Sequence, residues 1–149
     1  PTFNSFANAE LQEILGDEME HAVKKDISNF SSGILINDKG DFKFQALPNE
    51  CQIAPILDII TINLDSDEEK EIVAAGNMYN TEVETPRYDA GSGMIIDHSQ
   101  DNWSCQSYSR TGLYLPHNVK SIKTITVGKQ AYIIAGNNSE KMQLFQINN

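Results

Sequence analysis

Two separate stretches of this chain return at one offset. Gly33-Ile34-Leu35-Ile36-Asn37 comes back as Gly93-Met94-Ile95-Ile96-Asp97, and Ile72-Val73-Ala74-Ala75-Gly76-Asn77 comes back as Tyr132-Ile133-Ile134-Ala135-Gly136-Asn137, with the same spacing in both cases. A repeat of that size holds about four short strands, the content of one propeller blade, and such a unit buries its faces against its neighbours instead of folding alone. About two repeats fit here where a closed propeller needs roughly 4–8 blades, so the expectation is a partial β-propeller.

Strand punctuation supports an all-β body. From Asp26 onward, short Ile/Val/Phe/Tyr-rich runs alternate with Gly, Asn, Asp and Pro, which predicts strands at Gly33–Asn37, Phe42–Leu47, Ile56–Asn63, Glu71–Gly76, Gly93–Asp97, Trp103–Tyr108, Val119–Val127, Ala131–Gly136 and Gln143–Ile147. The segment up to Phe30 follows a different pattern: Leu11, Ile14, Leu15, Met19, Ala22 and Val23 recur at helical spacing. Gly16 reads as a helix stop, and Asp17-Glu18-Met19-Glu20 as a capping-box-like restart, which predicts two short helices packing their apolar stripe on the body. Helix is expected only there. The division is therefore a helical segment at 1–30 and two four-stranded antiparallel blades at 31–149.

Charge removes one class of partner. With 21 acidic against 11 basic residues the formal charge is −10, which disfavours the clustered Lys and Arg that grip nucleic acid. No apolar run is long enough for a membrane helix, which needs about 20 residues. The chain opens at Pro1, so a processed or excised piece is expected. Cys51 and Cys105 match neither a CxxC pair nor a zinc spacing; they read either as ordinary small side chains or as a disulfide of an oxidising compartment. Three Asn-x-Ser sequons, at Asn29, Asn102 and Asn137, suggest exposed turns.

Candidate chemistry sits in two places. Between two predicted strands, Asn63-Leu64-Asp65-Ser66-Asp67-Glu68-Glu69-Lys70-Glu71 sets oxygen-bearing side chains at loop positions 1, 3, 5 and 9, with the Glu69 backbone carbonyl at position 7. Alternate positions of a tight loop converge on one centre, and Ca²⁺ takes about 6–8 such oxygens. Neutral Asn63, Glu68 at the sharp turn and the long Glu71 predict weak binding. The equivalent place in the second repeat, Val127-Gly128-Lys129-Gln130, is not acidic, so one site is expected at most. The second place is the long link Met78–Ser92, where Tyr79, Arg87, Tyr88 and Asp89 combine aromatic and charged groups suited to ligand recognition or to ordinary loop packing. His21, His98 and His117 show no ligand spacing, and Gly91-Ser92-Gly93 lacks the strand-to-helix setting of a nucleophile elbow. No nucleophile–base set can be assembled, so no enzyme is expected.

The acidic loop flanked by strands and followed by Ala-Gly-Asn resembles an FG-GAP/VCBS repeat, the blade type of integrin α chains. Phe30-Ser31-Ser32-Gly33, Gly40-Asp41-Phe42-Lys43-Phe44, Ala46-Leu47-Pro48, Gln52-Ile53-Ala54-Pro55 and Thr81-Glu82-Val83-Glu84-Thr85-Pro86-Arg87-Tyr88-Asp89-Ala90 resemble the C-terminal region of large bacterial VCBS-repeat proteins, which are similar to cartilage acidic proteins. The likeness spans essentially the whole chain. Its loop pattern, Asp-x-Asn-x-Asp-Gly-x-x-Asp, carries over onto Asn63, Asp65, Asp67 and Glu71 as ligand positions. The resemblance implies a non-catalytic binding or scaffold module, secreted or at the cell envelope, with a weak calcium loop. Its implied partners are proteins or glycans at the cell surface, or a second copy joined through open blade edges. Tyr79, Tyr88, Trp103 and Tyr108 keep a glycan-binding module or an accessory of a carbohydrate-active system as the alternative.

Overall fold

The computed structural model describes residues 2–65, 67, 69–99 and 102–148. It divides into two compact units, Pro1–Phe30 and Ser31–Asn149. Strand accounts for 39% and helix for 16%, so the chain is mostly β.

In the first unit, helix α1 spans Phe3–Ala7 and helix α2 spans Leu11–Leu15, followed by a 3-10 turn at Gly16–His21. Thr2 and Ser5 cap α1 reciprocally, and Glu10 with Glu13 does the same for α2. The Gly16 stop is present: its φ of +53° is left-handed backbone that other residues resist. One expectation is corrected: the restart after Gly16 is a 3-10 turn with no side-chain cap. Helices this short give little more than one turn each, too little to present a continuous face.

The second unit holds nine strands among the described residues: β1 (Gly33–Asp38), β2 (Asp41–Ala46), β3 (Asp58–Ile62), β4 (Glu71–Ala75), β5 (Met94–Ser99), β6 (Asn102–Gln106), β7 (Val119–Val127), β8 (Gln130–Asn137) and β9 (Gln143–Gln146). Every pairing is antiparallel, and the sheets are β1-β2, β3-β4-β5-β6 and β7-β8-β9, none of them closed. The sequence repeat and the sheets are therefore out of phase. One repeat runs from β1 to β4 and the next from β5 to β8, yet β3 to β6 share a sheet. The expected two four-stranded sheets are in fact two-, four- and three-stranded. Helix is also not confined to the segment before Ser31. A 3-10 turn lies at Asn49–Cys51, and helix α3 spans Tyr108–Thr111 where a strand end was expected. The chain must turn there, and Gly112 at φ +76° closes that helix.

Strand β4 is central and buried on both faces, so Ile72-Val73-Ala74-Ala75 reads as an unbroken apolar run without alternation. Val73 and Ala75 face one core with Ile95, Leu115, Val119, Ile122, Ile133 and Ala135. Ala74 faces a second core with Leu47, Cys51, Met94 and Ile96. Matching positions of the two repeats thus meet in one core, since Val73 and Ile133 stand one repeat apart. At Gly76 a Cβ would lie 2.6 Å from the Leu57 nitrogen, so only glycine lets the incoming β3 backbone pass.

The connection between paired strands differs between repeats. The repeat offset would put Asn118 opposite Ala135, but Ile122 stands there, four positions along, whereas Asp58 faces Ala75 in the first repeat. A tight turn at Gly128-Lys129 replaces the open loop at 63–70, and the chain saved is taken up in a longer β7 with a bulge between Val119 and Ser121.

Candidate functional site

The described residues of the segment 63–70 leave the ladder because their own side chains compete for the backbone. The Asp67 N–H donates to Asp65 Oδ1 at 3.2 Å and the Glu69 N–H donates to Asp67 Oδ1 at 2.7 Å, two successive Asx turns in place of strand pairing. Asn63 Nδ2 donates to the Asp67 carbonyl and braces the loop across its mouth. Glu71, the first residue of β4, is only 6% exposed, and its Oε2 accepts the Leu64 N–H at 2.6 Å.

These turns bring Asp65, Asp67 and Glu71 together, with one carboxylate oxygen from each within 4.8 Å of the others. Two oxygens bound to one Ca²⁺ at about 2.4 Å stand at most about 4.8 Å apart, so the three fit around a single hard cation. Asp65 and Asp67 are exposed while Glu71 is buried, which places the cluster at the surface with its base on β4. The Asn63 amide nitrogen is turned to the Asp67 main chain, and the Glu69 carboxylate lies 3.8 Å from His98 Nδ1 on β5. His98 in turn stacks on Trp103 with ring centroids 4.4 Å apart. Glu68 lies outside the described residues.

In the link Met78–Ser92 the structure brings two of the predicted residues, Arg87 and Tyr79, together. Arg87 sits over the Tyr79 ring at 4.9 Å, and the Tyr79 hydroxyl donates to the Pro116 carbonyl at 3.3 Å. Tyr88 exchanges two 2.9 Å backbone hydrogen bonds with Met78, leaving its ring 48% exposed, and Asp89 is exposed beside it. Met78, Asn80, Thr81, Glu82, Thr85 and Tyr88 line a small surface pocket.

Three features escape a reading of the sequence. Asn77 is fully buried and knots the link: Nδ2 donates to the carbonyls of Gly91, Pro116 and His117 at 3.0–3.1 Å, and Oδ1 accepts the Gly91 N–H at 3.0 Å. Asp58 joins β3 to β7. Its Oδ2 accepts from Ser121 Oγ and the Ile122 N–H, both at 2.9 Å, and from Lys123 Nζ at 3.1 Å. The Ile122 N–H foremost holds the Asp58 carboxyl down at about 2, against the opposing effect of burial and with help from Ser121, Lys123 and the Ile59 N–H. The third is an aromatic pair, Tyr108 and Tyr114, with centroids 4.9 Å apart and both rings about half exposed. Tyr108 was singled out in the sequence, but Tyr114 carries no local signal.

A pocket of about 580 Å³ lies beside Leu64, lined by apolar residues with Thr111, Gln146 and Asn148, and none of its described lining residues has a titratable side chain. No protein family matches this sequence, and no curated protein or solved structure matches it.

Proposed function

We propose that this chain is a non-catalytic binding or scaffold module of the FG-GAP/VCBS repeat type, propeller-derived, exported and acting on protein or glycan partners at a cell surface. The observation that carries this reading is the convergence of Asp65, Asp67 and Glu71 in the loop between β3 and β4, at the positions where the resembling blade type holds calcium. Calcium there is structural: it offsets the repulsion of three carboxylates and fixes the loop as a rigid surface feature. The pocket beside Leu64, without a titratable group in its described lining, fits a binding role better than proton-transfer chemistry.

The test is a calcium titration of the full chain followed by backbone amide shifts. The amides of Leu64, Asp67 and Glu69, which already point at carboxylate oxygens, shift and saturate at about 10⁻⁴–10⁻³ M calcium. Amides that stay fixed up to ten millimolar calcium contradict the reading. The second reading, a glycan-binding module, is favoured by the exposed Tyr108–Tyr114 pair, whose rings can stack on sugar faces. A glycan-array signal abolished by Tyr114→Ala selects it.

A further inference from the structure

The two cysteines are far apart in sequence and adjacent in the fold. Cys51 ends the 3-10 turn after β2, where its N–H donates to the Pro48 carbonyl at 2.9 Å and its side chain is fully buried. Cys105 lies on β6 opposite Ile96 and packs against the same core, that of Leu47, Cys51, Ala74, Met94 and Ile96. Each side chain bears on the other's acidity, which sets the two sulfurs near one another. Both are free cysteines.

We propose that Cys51 and Cys105 are a disulfide-forming pair, a covalent cross-link site between the turn after β2 and strand β6. Two cysteines that pack in one small core need only a local adjustment to bring their sulfurs to bonding distance, about 2.05 Å. The bridge would close a loop running through β3, β4 and β5, fastening the β1-β2 hairpin connection to the outermost strand of the four-stranded sheet.

The order of events follows from exposure and acidity. Cys105 is partly exposed while Cys51 is fully buried; burial pushes both thiols up, the Cys51 thiol to about 12, so Cys105 reacts first. With oxidised glutathione as the oxidant, the Cys105 thiolate attacks one of its sulfurs. The glutathione S–S bond breaks, and one glutathione thiolate leaves with the proton Cys105 gave up. Cys51 then loses its proton, its sulfur attacks Cys105 Sγ, and the mixed disulfide breaks to release the second glutathione, which takes that proton. Two protein thiols are oxidised to one disulfide and one glutathione disulfide is reduced to two thiols.

This inference rests on the packing of both cysteines in one core and stands or falls separately from the calcium loop. The full chain is equilibrated with oxidised glutathione, then denatured, alkylated and weighed. The expected product has lost two hydrogens, takes no alkyl group, carries no glutathione, and melts roughly 10 °C higher than after dithiothreitol. Cys51→Ala should accumulate a glutathione adduct on Cys105 and lose the dithiothreitol-dependent shift. Two alkylatable thiols, a persistent adduct in the wild type, or disulfide-linked dimers overturn the proposal. The wild-type comparison needs no variant, so it decides the matter even if Cys51→Ala fails to fold.

Discussion

Asp58 gathers three donors from β7 on a single carboxylate oxygen, and its Oδ1 accepts the Ile59 N–H at 2.9 Å. That makes it the polar joint between the four- and three-stranded sheets. Its acidity constant falls from 3.8 to about 2, so the folded state favours the ionised form, and the stability this contributes is full above about pH 4 and lost as pH falls towards 2. The side chain is 23% exposed, which screens part of the interaction and leaves about 1–2 kcal/mol. Acid denaturation of wild type and Asp58→Asn should therefore converge below pH 2, with the variant about 1–2 kcal/mol weaker at pH 7. Equal stabilities at pH 7 would remove Asp58 from the joint. None of this was legible in the sequence, because the partners of Asp58 lie 63 to 65 positions away and nothing near Asp58 marks them. Asn77 escaped for the same reason, with two of its acceptors 39 and 40 positions on. The acidic triad was legible because its members are local: the alternate spacing of Asp65 and Asp67 is itself what bends the loop.

The strands themselves were readable. Val119–Val127 lies where its pattern puts it, and the ends of the other eight differ by at most two residues, because period and turn residues are local signals. α1 was missed since Phe3–Ala7 is capped by Thr2 and Ser5, a pair without the acidic residue that usually marks a capping box. α3 was missed since Tyr108 continues the aromatic run of β6. The edges of these sheets carry a prediction. The β1-β2 hairpin presents Leu35, Phe42 and Phe44 on one face at 63%, 65% and 45% exposure, with register pairs that set Leu35 against Phe44. A two-stranded ribbon with an apolar face and unpaired edges pairs readily with another chain. Sedimentation velocity should show self-association from micromolar to near-millimolar concentration, suppressed by Phe42→Lys. A sedimentation coefficient independent of concentration would show that the hairpin recruits no second copy.

At the scale of the whole molecule, the internal echo led to the right strands and to the wrong grouping. The likeness of Gly33–Asn37 to Gly93–Asp97 says that two segments are similar, not which neighbour each one pairs with. Pairing is decided by the long link that returns β5 to β4 and by the core in which Val73 meets Ile133. The open loop at 63–70 is the feature that most separates the two repeats, since the same length of chain in the second repeat is strand and tight turn. A segment that gives up ladder hydrogen bonds to bring three carboxylates together is destabilising unless something compensates the charge, and the module reading makes that compensation calcium. Thermal melting of the full chain in EDTA and then in several millimolar CaCl₂, with Asp65→Ala measured beside it, tests that claim most directly. At a tenfold excess over the dissociation constant, bound calcium adds about 1.4 kcal/mol, a rise of several degrees in the wild type and none in Asp65→Ala. A wild type whose melting temperature ignores calcium, or a variant that shifts equally, would contradict the account and leave the loop a polar turn.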